Sequence, residues 1–135
     1  MDSIDRLFEA ALTAQTQAYA PYSKFQVGAA IQTPKGTIYS GGNVENASYP
    51  VGVCAEASAI SAMINGGERA ISAIVVMGEG AELVTPCGAC RQRIFEFSIE
   101  TTRIHVAGPE GIRRSFFIED LLPHAFGPGH LKAES

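Results

Sequence analysis

Three cysteines and one glutamate carry most of the chemistry this sequence offers. Cys54-Ala55-Glu56 and Pro86-Cys87-Gly88-Ala89-Cys90 between them contain every cysteine of the chain. Cys87 and Cys90 stand three residues apart, so on a helical turn their side chains leave one face, about 5–6 Å apart at Cβ and within reach of a single metal ion. Cys54 completes a trigonal set. Three protein ligands leave the fourth position of a tetrahedral zinc site open to water, which is the catalytic rather than the structural arrangement. Glu56, beside the first ligand, suits proton transfer better than ligation. As a fourth ligand it would close the site, whereas next to a water it can take a proton and later return it.

These residues need elements that aim them at one point. Ile4, Leu7, Phe8, Ala11 and Leu12 follow the spacing of an amphipathic helix that Ala20-Pro21 should end. Lys24 to Thr33 and Thr37 to Ser40 read as two strands of a hairpin, with Thr33-Pro34-Lys35-Gly36 as the turn. A polar connection from Gly41 to Pro50 leads to a helix over residues 54–65, stopped by Gly66-Gly67. Ala70 to Met77 is an apolar, β-branched run suited to a central strand covered on both faces. Pro86 opens a second chemistry-bearing helix over Cys87 to Phe97. Arg103 to Ala107 and Arg113 to Phe117 read as strands around the turn Gly108 to Gly111, and Ile118 to Leu122 as a last helical turn. The order α-β-β-α-β-α-β-β-α implies a mixed sheet with helices on its faces.

In this arrangement both halves of the cysteine set fall at helix N-termini. Unpaired N–H groups and the helix dipole put positive potential there and favour the thiolate that binds metal. Three thiolates around one Zn²⁺ still leave one net negative charge, which opposes ionisation of a bound water. Arg91, next to Cys90, is the cation expected to offset part of it.

The bulk numbers limit the partners. With 135 residues, 46% hydrophobic and 18% charged, the chain has the size and composition of one compact domain spanning 1–135. A net charge of −4 is the wrong sign for a surface that neutralises nucleic-acid phosphates and points to a small, nearly neutral ligand. An odd cysteine count without a secreted disulfide framework, an acidic N-terminus without an apolar signal core and the lack of any membrane-length apolar run predict a cytoplasmic location, with no membrane partner.

With the cysteine motifs in view, several further stretches resemble the small, homotetrameric, zinc-dependent cytidine deaminases over nearly the whole chain. They are Pro21-Tyr22-Ser23-Lys24-Phe25-Gln26-Val27-Gly28-Ala29-Ala30, Asn43-Val44-Glu45-Asn46-Ala47-Ser48-Tyr49, Cys90-Arg91-Gln92 and Leu121-Leu122-Pro123-His124-Ala125-Phe126-Gly127-Pro128. The metal motifs alone indicate the wider deaminase group; the Asn43 to Tyr49 stretch narrows it to free nucleosides. The resemblance implies a three-layer α-β-α fold with a mixed sheet of about five strands. It implies one zinc per subunit on Cys54, Cys87 and Cys90, and hydrolytic deamination of cytidine and deoxycytidine in pyrimidine salvage, with Glu56 carrying the proton. Asn43 and Glu45 would hold the ribose hydroxyls, Phe25 would stack on the pyrimidine, and the Ala55 N–H would bond its carbonyl. Ala47, Tyr49 and Phe126 would complete a neighbouring subunit's pocket in a homotetramer. An amide and a carboxylate two residues apart on an extended segment do point the same way and can grip a diol. The sequence departs from the family in having Ala57 where an arginine commonly follows the catalytic glutamate.

Plainer readings exist for each residue alone. A single buried cysteine is usually a small hydrophobe, and Cys-x-x-Cys can be redox-active or part of a structural zinc site. Phe25, Tyr49 and Phe126 can be core or interface aromatics. His105, His124 and His130 read as packing or surface residues, and Gly78-Glu79-Gly80 lacks the third glycine of a dinucleotide loop. The rival functions are deamination of another aminopyrimidine nucleoside and, from a different class, a nucleic-acid-binding or noncatalytic zinc module.

Overall fold

Residues 2–131 are described by a computed structural model. Helix α1 spans Ser3–Thr16 and begins where Asp2 accepts a hydrogen bond from the Asp5 N–H at 3.0 Å, an N-cap that satisfies one of the unpaired donors of the first turn. It stops short of Ala20-Pro21, because the chain leaves the helix for a bridge in which the Tyr19 N–H donates to Asn43 O at 2.9 Å. The first strand, β1, covers Gly28–Gln32 and not the whole of Lys24 to Thr33. Lys24 has φ +62°, a left-handed conformation that interrupts an extended run. The hairpin turn is as expected, with Gly36 at φ +88°, and β2 follows at Ile38–Gly42.

Then come α2 (Ala55–Asn65), β3 (Ile71–Met77), α3 (Gly88–Glu96), β4 (Ser98–Gly108), β5 (Gly111–Phe117) and the short α4 (Ile118–Leu121). β4 starts several residues before Arg103, since Ser98 already pairs with Ile71 ahead of a register shift. The strands form a five-stranded sheet in the order β2-β1-β3-β4-β5. Only β3 and β4 run parallel; the other neighbours are antiparallel. The parallel pair needs a crossover, and α3 provides it.

Strand alternation divides the apolar side chains between two layers. Ala29, Ile31, Ile74, Val76, Ile104 and Val106 meet Ala55, Ala59, Met63 and Ile94 from α2 and α3. Ala30, Val75, Met77 and Ala107 meet Leu7 and Ala11 of α1 on the opposite face. This is the three-layer α-β-α arrangement, and the central strand β3 is covered on both sides as its continuous apolar run requires. The hairpin lies unusually close to the helices. A Cβ on Gly41 would come within 2.8 Å of the Ala59 backbone nitrogen in α2, and one on Gly42 within 2.7 Å of Ala14 O in α1. That close approach brings the residues after β2 alongside the start of α2.

Candidate active site

Cys54 is the N-cap of α2 and Cys87 the N-cap of α3, so the two cysteine motifs open two helices of the same layer. A short extended segment ahead of Cys54 is stapled to Val53 and to Tyr19, beyond the end of α1. Val44 N–H donates to Val53 O at 2.8 Å and Val53 N–H to Val44 O at 2.9 Å, while Glu45 N–H donates to Tyr19 O at 2.9 Å. Val44 is thereby held extended, and the side chains of Asn43 and Glu45 project to one side, as alternation on an extended backbone demands. They overlook a cavity of about 500 Å³. Its floor includes Cys54, Ala55, Glu56, Cys87 and Cys90; Val27, Val76 and Val84 form apolar walls; Tyr22, Ser23 and Tyr49 stand with Asn43 and Glu45 around the rest.

At the floor, ligand atoms converge. The sulfurs of Cys54 and Cys90 and a carboxylate oxygen of Glu56 lie within 4.8 Å of one another. Two soft sulfurs and a hard oxygen at such separations form a donor set that fits zinc. The Cys87 sulfur lies outside this close group, although Cys87 lines the same cavity from an exposed position at the start of α3. Glu56 is 5% exposed, and burial pushes its carboxyl up to about 7. The two neighbouring thiols act as a unit. The hydrogen bond from Cys90 pulls Cys54 down to about 6, helped by the Ala57 N–H and the charge of Arg93, and the same bond together with burial pushes Cys90 well above the thiol range.

The charge balance expected of Arg91 is carried elsewhere. Its guanidinium donates to Pro86 O at 2.8 Å, Leu121 O at 2.9 Å and Thr85 Oγ1 at 3.0 Å, so its fork fastens the loop before α3 to the end of α4 and does not face the sulfurs. Arg93 is the arginine at the thiols. Its Nη1 lies 3.6 Å from Cys90 Sγ and 3.7 Å from Cys54 Sγ. A signal for it was in the sequence: Arg93 stands three residues after Cys90, on the same helical face.

The other expected contacts divide. Asn43, Glu45, Tyr49 and Ala55 border the cavity. Asn43 and Glu45 are also engaged within the chain: Asn43 accepts from the Val27 N–H at 2.9 Å and donates to Phe25 O at 3.0 Å, and Glu45 accepts from the Tyr22 and Ser23 N–H groups at 3.0 Å each and from the Ser23 hydroxyl. These bonds hold Glu45 below the usual carboxylate range, the Ser23 hydroxyl contributing most. Phe25 is not in the lining; its ring lies over Gly78, and Val27 takes its place at the wall. Ala47 and Phe126 are exposed and also outside the lining, with the Phe126 ring stacked on His130 at 5.2 Å. Among the described residues no helix is long and apolar enough to cross a membrane.

Residues 1–106 match the family model described as the cytidine and deoxycytidylate deaminase zinc-binding region. The chain is 39% identical over 123 residues to a cytidine deaminase of Sporosarcina psychrophila, covering 91% of this chain and 90% of that one. It is 39% identical over 120 residues to the cytidine deaminase of Halalkalibacterium halodurans, covering 89% and 91%. A crystal structure of cytidine deaminase from Burkholderia pseudomallei superimposes with a TM-score of 0.85 at 44% identity, over 90% of this chain and 98% of the other.

Proposed function

Because the chain belongs to the cytidine and deoxycytidylate deaminase family, we propose that it hydrolyses cytidine and deoxycytidine to uridine and deoxyuridine with release of ammonia. One observation carries the reading: a buried carboxyl, Glu56, sits against two thiols at the floor of a cavity whose upper part presents Asn43 and Glu45. Cys54, Cys87 and Cys90 would hold one zinc per subunit. When bound, the metal supplies a Lewis acid that activates water for hydrolysis at an amidine carbon.

The chain's own residues do the rest. A carboxyl at about 7 can both accept and release a proton near neutrality, so Glu56 can take one proton from water and deliver it to the ring nitrogen N3, then take the second from the hydroxyl added at the amidine carbon and deliver it to the amine, which leaves as ammonia while the carbonyl forms. Val27, Val76 and Val84 offer an apolar slot for a flat ring, and the Ala55 N–H, at the first helical position with no intrahelical acceptor, suits its carbonyl oxygen. Asn43 and Glu45 retain unused lone pairs and an N–H for the ribose hydroxyls. Phe25 would reach the ring by turning from Gly78. In a homotetramer Ala47, Tyr49 and Phe126 would complete a neighbour's cavity, which would account for the exposure of two aromatics: Tyr49 is 74% and Phe126 54% accessible. We read the chain as one catalytic domain working in pyrimidine salvage, and its three free cysteines suit a reducing compartment such as the cytoplasm.

The experiment is direct. Zinc-loaded protein should convert the ultraviolet spectrum of cytidine to that of uridine, and Glu56→Gln should lower turnover by at least about 10²-fold while the protein keeps its zinc. An unchanged cytidine spectrum with the wild-type protein overturns the reading.

A further inference from the structure

Arg93 occupies a place that its sequence neighbours do not explain. Its Nη1 lies between two sulfurs on two different helices, 3.6 Å from Cys90 and 3.7 Å from Cys54, distances at which a large, polarisable sulfur accepts an N–H. Its guanidinium has no carboxylate partner; the salt bridge found among the described residues is Arg113 with Glu110. Arg91 has its donors committed to Pro86, Leu121 and Thr85. The equivalent position on the other helix is neutral: Ala57 follows Cys54 by three residues, as Arg93 follows Cys90 by three, and each spacing places a side chain over the preceding cysteine.

We propose that Arg93 is the positioning and charge-balancing residue of the metal site, donating to the thiolates of Cys54 and Cys90 together, and that its charge could be supplied equally well from position 57. The inference rests on the zinc deaminase reading of the site. Thiolate ligands give electron density to the metal, and each extra thiolate makes it a poorer Lewis acid. An N–H donor on a ligating sulfur withdraws part of that density, and partners of this kind commonly govern metal affinity or turnover by 10–100-fold. By bridging both sulfurs, Arg93 also fixes the start of α2 relative to α3. The bridge lies off the cavity lining, so it acts through the ligands and not on the nucleoside.

The test uses the full chain with Co²⁺ in place of zinc, because sulfur-to-cobalt charge-transfer absorption reports how readily the thiolates give electrons. Arg93→Gln should move that absorption to longer wavelength and lower kcat for cytidine about tenfold, with KM held within about twofold. Arg93→Lys should recover part of both changes. The double variant Ala57→Arg with Arg93→Gln should return band and kcat towards wild type, because it restores the charge from the opposite helix. Coincident Arg93→Gln and wild-type bands overturn the proposal. So does a double variant that stays with Arg93→Gln, since the loss would then be one of local packing. Arg93 is exposed, so its replacement by Gln should leave the metal-free protein folded, with an unchanged far-ultraviolet circular dichroism spectrum. A wild-type protein that shows the band but does not deaminate cytidine defeats the assigned reaction and leaves the band comparison to decide the role of Arg93.

Discussion

At the scale of single residues, two arginines two positions apart have separate tasks because a helix turns about 100° per residue. Arg93 shares a face with Cys90, and Arg91 points instead to the loop before the helix and the end of α4. Glu45 shows how one side chain can organise the fold and still face a cavity. Its carboxylate gathers the Tyr22 and Ser23 N–H groups, which shapes the segment on that side of the cavity, and it still borders the cavity. Charged hydrogen bonds are each worth about 1.5–3 kcal/mol. Glu45→Ala should therefore raise KM for cytidine at least about tenfold with a smaller fall in kcat, as steady-state kinetics would register; an unaltered KM would remove Glu45 from the binding site.

At the scale of elements, the decisive feature is that two helices begin at cysteines and lie in one layer, where the crossover between the parallel strands β3 and β4 puts α3 beside α2. The sheet also buries a titratable group outside the site. His105 on β4 pairs with Ser115 on β5, its Nδ1 2.6 Å from the Ser115 hydroxyl. Burial holds its pKa below the ordinary 6.5, and the charge of Arg103 adds to the effect. A depressed pKa means that the neutral imidazole is favoured in the fold, so this contribution to stability is full above 6.5 and is lost as pH falls through the lower folded value. The melting temperature should thus drop between pH 7 and pH 5, and His105→Gln should flatten that drop whatever it does to absolute stability. Equal slopes for the two proteins would show that another group governs the acid limb.

For the whole molecule, Tyr49, Val51, Val53 and Phe126 are all exposed, and Tyr49 and Val53 also line the cavity. Isolated apolar residues on a surface need no explanation, but a group bordering a pocket suits an interface. In the homotetramer proposed above, sedimentation should give about four times the 14.3 kDa chain mass. Replacing Tyr49 and Phe126 together by Ser should shift the assembly to smaller species and lower kcat/KM in parallel. A fully active monomer would refute the shared pocket.

Local information already contained much of this. The order of helices and strands followed from apolar periods of 3.6 and 2, and the placing of Cys54 and Cys87 at helix starts followed from the breakers ahead of them, because such preferences act over a few residues. Cys54, Glu56, Cys87 and Cys90 stood out by type and spacing, whereas Asn43 and Glu45 stood out only through the family resemblance of the Asn43 to Tyr49 stretch. Other features depend on residues remote in the chain. Helix α1 ends early because Tyr19 pairs with Asn43, the Phe25 ring settles over Gly78, and Arg93 meets a cysteine 39 positions away. No local propensity encodes these contacts. They arise when the sheet brings α2 and α3 side by side, and only that packing decides which of two nearby arginines faces the thiolates that the sequence alone had marked for metal.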